Sequence, residues 1–383
     1  MSTTTIQQVF INFSDEYLRK YKPNYEQTKA LNNIKDCHTE RKGTRIYQCQ
    51  ECGQQVFSYN SCRDRHCPNC QSYRREKWID QHQKDIINTP YFHIVMTVPA
   101  ELHGIFYHNQ KEMYSLLFKT TSETILELCE DKKNLGAKVG ITAMLHTWSQ
   151  QGRYHPHIHM IVTGGGINKL GEYIYSKEDY LLPVKVISKV FRGKLLSGIK
   201  KSKTLKYYNK YEYLNDKNNL NRYLRPLYEK DWVCYSKKPF RNVNSVYEYL
   251  ARYAFRVCMS NDRIVNVDEE IVEFKYKDRK NKGKTKTTKI KGEEFIRRFM
   301  LHILPKSFMK VRYYGIMAGK GKSERLKRIK ILTKTAKNKK EQRTKLEIIN
   351  KILGREVNKC EKCGGELELV LTLQGIPPPK CYN

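Results

Sequence analysis

Residues 138–166 read KVGITAMLHTWSQQGRYHPHIHMIVTGGG. Two apolar runs, Lys138 to Trp148 and Tyr154 onward, flank the polar turn Ser149-Gln150-Gln151-Gly152. This is the pattern of an antiparallel hairpin, with Gly164 to Gly166 closing its far end. His155, His157 and His159 recur at every second residue, so a strand projects all three from one face. Imidazoles at that spacing can grip one divalent ion and leave other positions open. Metal-assisted phosphodiester chemistry needs such a site, because the ion polarises a phosphoryl oxygen and offsets developing charge. A lone strand histidine is more often a packed core residue, but three on one face beside glycine-rich turns point to a metal. His146 on the neighbouring strand is a further ligand or a support, and the residues leave that open.

Outward from this hairpin, Tyr91 to Val98 (YFHIVMTV) ends at Pro99 and suits a buried strand. Residues 111–129 carry Met113, Leu116, Leu117, Ile125 and Leu128 at helical spacing. Residues 243–257 (VNSVYEYLARYAFRV) predict a helix capped by Asn242 or Asn244, with Val243, Val246, Leu250 and Val257 as its buried stripe. Tyr249 and Tyr253 lie four apart on one side of it, beside Arg252 and Arg256. A tyrosine hydroxyl can attack phosphorus and leave a covalent phosphotyrosine that stores the bond for rejoining. Neighbouring arginines can pair with phosphate oxygens. In a chain with 27 Tyr, two at helical spacing would by themselves more often be core or interface.

Six of the 12 cysteines fall between Cys37 and Cys70. Cys49-x-x-Cys52 and Cys67-x-x-Cys70 have the spacing of two zinc knuckles that complete one tetrahedral site. Cys37, Cys62 and His66, with His38 as a possible fourth, remain for a second zinc, unless Cys37 and Cys62 are simply small buried hydrophobes. This module also carries Arg63, Arg65, Arg74 and Arg75, which suit DNA contact or, more plainly, solvated surface. A third pair, Cys360-x-x-Cys363, stands near the C-terminus as a weaker signal, with Cys381 or a histidine able to add a ligand. Cys129, Cys234 and Cys258 sit among apolar residues and read as core.

Over the 383 residues, 72 Lys and Arg stand against 39 Asp and Glu, a formal charge of +33. That excess sets the chain apart from an ordinary metabolic enzyme and points to a polyanion, foremost nucleic acid. No run approaches 18 apolar residues and the start lacks a signal-peptide pattern, so a membrane role is not expected. A cytoplasmic protein with reduced thiols is. Residues 275–291 hold nine Lys or Arg against one Asp and predict a lysine-rich hairpin around Gly283. An amphipathic helix should follow from about Glu293 to Ile303. Residues 320–351 hold 13 Lys or Arg against three Glu in a largely helical pattern. Such stretches can track a DNA backbone with little sequence choice, or serve only as solvated surface.

The histidine strand together with the two-tyrosine helix resembles the two-tyrosine HUH transposases of rolling-circle insertion sequences. CQECGQQVFSYNSCRDRHCPNCQ (49–71) is similar to that family's N-terminal zinc domain. LHTWSQ (145–150), HPHIHMIVTGGG (155–166), FRGKLL (191–196), KPF (238–240), YLARYAFRVCMSNDRI (249–264) and RYYG (312–315) are similar to its successive catalytic blocks. Residues 197–237 match poorly, and nothing is assigned there.

The resemblance implies an α+β fold: an antiparallel HUH sheet backed by helices, a zinc-ribbon-like N-terminal domain and a basic helical C-terminal region. The expected boundaries are 1–90, 91–318 and 319–383. It implies His157 and His159 as ligands of a catalytic Mg²⁺ or Mn²⁺, with His155 as the third and Glu248 less favoured. Tyr249 and Tyr253 would be paired nucleophiles, Zn²⁺ would be structural, and Cys360 and Cys363 would match the family's C-terminal pair. The implied activity is a transposase that nicks and rejoins single-stranded DNA at insertion-sequence ends through 5′-phosphotyrosine intermediates. Two alternatives stand beside it. One is an HUH replication initiator or relaxase, although relaxases place the tyrosine before the histidines. The other is a non-catalytic zinc-ribbon protein that binds nucleic acid.

Overall fold

The structure is a computed structural model that describes residues 4–240, 246, 249, 251, 253–278, 281, 283–336 and 342–376. Its strands, all antiparallel, are β1 (Thr44–Cys49), β2 (Gln55–Tyr59), β3 (Tyr91–Thr97), β4 (Lys138–Trp148), β5 (Tyr154–Ile167), β6 (Tyr173–Tyr175), β7 (Cys234–Phe240), β8 (Ile264–Val267), β9 (Ile271–Asp278), β10 (Lys284–Lys291), β11 (Val311–Gly315) and β12 (Leu367–Leu373). They form three sheets. The central one runs β11-β4-β5-β3-β7, with β6 beside β5; the others are β12-β1-β2 and β10-β9-β8.

The central strands read as nearly continuous apolar runs because both of their faces are covered. Ile94, Met96, Ala143, Leu145, Ile158 and Met160 turn to one face, which is buried with Phe118, Phe191 and Leu224 of the helices Gln110–Glu130, Val184–Lys201 and Lys217–Glu229. Each such large apolar side chain contributes about 1.5–3 kcal/mol on burial. Met144 and Ile161 turn the other way and join Trp78, Ile79, Val246, Ala251 and Ala254. Helix Pro68–His82 of the cysteine-rich region and the tyrosine-bearing helix therefore lie over the histidine face.

The expected β4–β5 hairpin forms, closed by the Ser149–Arg153 turn. Gly164 to Gly166 do not close its other end, as anticipated, but lie inside β5, where Gly165 and Gly166 pair with β6. A Cβ at Gly166 would stand 2.3 Å from the Lys138 carbonyl oxygen, so this crossing needs glycine. The lysine-rich hairpin is β9–β10, with Gly283 at φ +78° in its turn. The next helix is Gly292–Met300, slightly earlier than expected. It packs on Ile6–Lys20, with Phe10 edge-on to Phe299 at 5.2 Å, in a second core that includes Cys37, Cys67 and Cys70.

Packing crosses the boundaries expected from sequence. Residues 259–303 lie against the N-terminal helices, and β12 pairs with β1 from Thr44↔Leu373 to Cys49↔Leu367. Among the described residues, no helix is long and apolar enough to cross a membrane.

Candidate active site

Strand register assembles the histidines. His157 lies opposite His146, and His159 lies opposite Met144 on one side and Val95 on the other. His93 shares their face two residues before Val95, diagonal to His159. His146, His157 and His159 present ring nitrogens that all lie within 4.8 Å of one another, and all three are buried.

His155, expected as the third ligand, is outside this group. The β4–β5 register shifts between His146 and Trp148, with Pro156 in the opposing stretch, so the period of two that placed three histidines together is broken. His155 instead packs edge-on to His103 at 5.5 Å, and its carbonyl accepts from His157 Nδ1 at 2.7 Å. His146 takes the third position.

The hydrogen bonds suit the trio to a metal. His146 Nε2 lies 2.7 Å from the Tyr253 carbonyl and His157 Nδ1 lies 2.7 Å from the His155 carbonyl, so each ring donates one N–H to the backbone and keeps its other nitrogen as a lone pair. Burial holds His146 and His159 far below the ordinary imidazole pKa, with neighbouring cations and imidazoles adding to the shift. Burial, then Lys237, takes His93 to about 4. Neutral rings are what a divalent cation requires. An all-imidazole set also fits Mn²⁺ better than Mg²⁺, which prefers oxygen ligands.

Both tyrosines reach this face. The Tyr249 hydroxyl lies 3.0 Å from His93 Nδ1, and His93 Nε2 lies 2.8 Å from His159 Nδ1. The Tyr253 ring is 4.7 Å from His159 and 4.6 Å from the Tyr249 ring. The described part of their helix ends after Ala254, ahead of the expected Val257. Val246 is buried as anticipated; Asn242, Val243, Asn244, Glu248, Leu250 and Arg252 lie outside the described residues. His93 was missed in the sequence, where one histidine in an apolar strand carries no pattern.

The cysteines group differently from the expectation. Cys49 and Cys52 do not share a site with Cys67 and Cys70. The first pair joins Cys360 and Cys363, and the second joins Cys37 and Cys62. Sulfur separations are 3.4 Å (Cys49–Cys363), 3.7 Å (Cys52–Cys360), 3.6 Å (Cys37–Cys70) and 3.5 Å (Cys62–Cys70). With Zn–S near 2.3 Å, a tetrahedron has edges of about 3.8 Å, so both quartets are close to zinc-site dimensions. The backbone N–H of Cys52 pulls the Cys49 thiol down to about 7, toward the thiolate a metal needs.

His66, expected as a zinc ligand, stands outside both quartets. Its Nδ1 meets Asp64 at 3.1 Å and its Nε2 accepts from the Leu304 N–H at 3.1 Å. His38 also stands outside both quartets, and Cys381 lies outside the described residues. Cys129 and Cys258 are buried and Cys234 is half-buried, as expected for core.

Arg65, expected at DNA, donates to the carbonyls of Leu304, Pro305 and Phe308 and so ties the cysteine-rich region to the segment that leads into β11. Arg74 donates to the Arg63 carbonyl and Arg75 to Glu76. Arg256 is exposed.

Residues 9–98 match the family described as "Transposase zinc-binding domain", and residues 140–325 the family described as "Putative transposase". A Sinorhizobium fredii protein named "Putative transposase y4qJ" is 35% identical over 370 residues, 93% of this chain and 92% of that one. The "Transposase for insertion sequence element IS801" of Pseudomonas savastanoi pv. phaseolicola is 23% identical over 311 residues, 77% of this chain and 71% of the other. No solved structure matches. With both halves matched in order and nearly the whole length shared with one relative, the chain belongs to the IS91/IS801 family of insertion-sequence transposases.

Proposed function

We propose that this transposase nicks and rejoins single-stranded DNA at insertion-sequence ends through the two tyrosines. The observation that carries the reading is the chain of contacts from the Tyr249 hydroxyl through His93 to the histidine trio. His146, His157 and His159 would hold a divalent ion, which when bound supplies Lewis acidity to a phosphoryl oxygen.

The tautomers then follow. With His159 Nε2 given to an ion, its Nδ1–H donates to His93 Nε2, and His93 Nδ1–H donates to the Tyr249 oxygen. His93 thereby orients that oxygen and favours its phenolate form. The Tyr249 O–H proton passes to solvent, the phenolate attacks phosphorus, the bond from phosphorus to the 3′ oxygen breaks, and that oxygen takes a proton from solvent and leaves as a 3′-hydroxyl. The 5′-phosphotyrosine keeps the bond for strand transfer. Tyr253, whose carbonyl accepts from His146, would serve the second exchange. The two cysteine quartets would hold structural Zn²⁺. The lysine-rich β9–β10 hairpin and helix Lys322–Leu332 add salt-dependent affinity for the DNA backbone.

The test is incubation of labelled single strands from the element's own ends with Mn²⁺, Mg²⁺ or EDTA, read on a denaturing gel. A metal-dependent nick with a covalent adduct is expected, stronger in Mn²⁺, and reduced at least ~100-fold by His157→Ala or His146→Ala. Tyr249→Phe should abolish the first adduct. His93→Ala should slow nicking roughly 10–100-fold, as loss of a ligand's orienting partner does. Binding of the correct ends with no nick under any metal condition would sink the nuclease reading.

A further inference from the structure

A cavity of about 430 Å³ opens beside the histidine trio, between helix Pro68–His82, the end of the tyrosine-bearing helix and the β4–β11 edge. That is the size class of a small-ligand pocket. Its walls include the aromatic rings of Trp78, Trp148, Phe255, Phe308 and Tyr313. Its charged members, Arg65, Arg74, Arg256 and Lys310, are all cationic.

Two features bind this cavity to the reaction centre. Trp148 stacks on His146 at 4.6 Å and 20°, so one wall of the cavity backs directly on a histidine of the trio. Phe255 and Arg256 follow Tyr253 by two and three residues, so the opposite wall continues the segment that bears the nucleophiles. Lys310 lies 5.0 Å from the Trp148 ring centre and donates to the Arg256 carbonyl at 2.6 Å.

We propose that this cavity receives one unstacked nucleotide of the DNA single strand next to the scissile phosphate, its base on the aromatic walls and its phosphate at Arg256 and Lys310. Single-strand recognition combines aromatic platforms with cationic tracks in this way, because every base offers a π-face and every linkage a charge. Burial, reinforced by Arg65 and Arg256, lowers the Lys310 ammonium to about 7, and a phosphate there would restore its proton and neutralise the crowding. The proposal rests on the single-strand nuclease reading and adds to it the place where one base is taken out of the stack.

The experiment walks a single abasic residue through single strands carrying the element's own ends, measuring binding by anisotropy and nicking in parallel lanes. One position next to the cut should lose affinity about tenfold or more, as loss of a stacked base does, while other positions change less than about twofold. Phe255→Leu and Arg256→Gln should weaken the intact strand and flatten the profile. The walk itself uses the unaltered protein, so a variant that folds poorly leaves the test intact. Nicking with a flat abasic profile overturns the pocket and leaves the nuclease reading standing. Failure both to bind and to nick the ends overturns the two together.

Discussion

The two cysteine quartets are chemically alike and topologically opposite. Cys37, Cys62, Cys67 and Cys70 come from a short stretch of chain, and three of the four are buried in a core built by the N-terminal helices and residues 259–303. Cys49, Cys52, Cys360 and Cys363 span 314 residues, and Cys52 and Cys363 are exposed. The first quartet holds a domain together from within. The second joins the N-terminal hairpin β1–β2 to the C-terminal strand β12 and does little for either core. A set of four sulfurs therefore serves as a core element in one place and as a surface clasp in the other.

The sharpest way to break this comparison is Cys70→Ser. It removes a ligand from inside the core, where structural zinc contributes on the order of 10–16 kcal/mol in small domains. Bound zinc should fall from two per chain to one or fewer, and the N-terminal unit should unfold, read by metal analysis and by loss of cooperative melting. Cys363→Ser should also remove one zinc, yet leave the main melting transition within a few degrees of the unaltered protein while exposing residues 354–373 to protease. Equal collapse in both variants would erase the distinction.

Chelation separates the sites by accessibility. Zinc release to a coloured chelator should be biphasic, the exposed clasp emptying first and Cys363→Ser deleting only the fast phase. A single phase would mean that burial does not govern release. The smallest effect is expected from Arg343→Ala. Arg343 reaches Asp80 at 2.7 Å and Glu76 at 3.1 Å on helix Pro68–His82, a second tie from the C-terminal region, independent of metal. Both acids are nearly buried. Its loss should cost about 1–3 kcal/mol in denaturant unfolding, with zinc content unchanged.

Much of the catalytic sheet was legible because apolar runs, a polar turn and tyrosines at helical spacing are local signals. The β4–β5 hairpin, His157 and His159, and the Tyr249–Tyr253 helix all follow from patterns a few residues long. His155 misled because a register shift beside Pro156 breaks the period of two, and no short pattern announces such a shift. His93 gave no signal and His146 was legible only as a ligand or a support, since each is one imidazole in an apolar strand whose meaning depends on which strand lies beside it. The cysteine partners failed for a related reason. A Cys-x-x-Cys turn specifies two thiolates for one ion but not the other two, and only the pairing of β1 with β12 brings Cys360 and Cys363 within reach.

That pairing also has a consequence in time. During synthesis Cys49 and Cys52 emerge early, and their missing partners follow only after some 310 further residues, roughly 16–60 s at ordinary elongation rates. For that interval the β1–β2 hairpin has an open edge and a half-filled ligand set, while the quartet around Cys70 can already be complete. Closure of the second quartet thus marks a chain made at least as far as Cys363. A transposase cut short between Tyr253 and Cys360 would carry its histidines and tyrosines but not the seal.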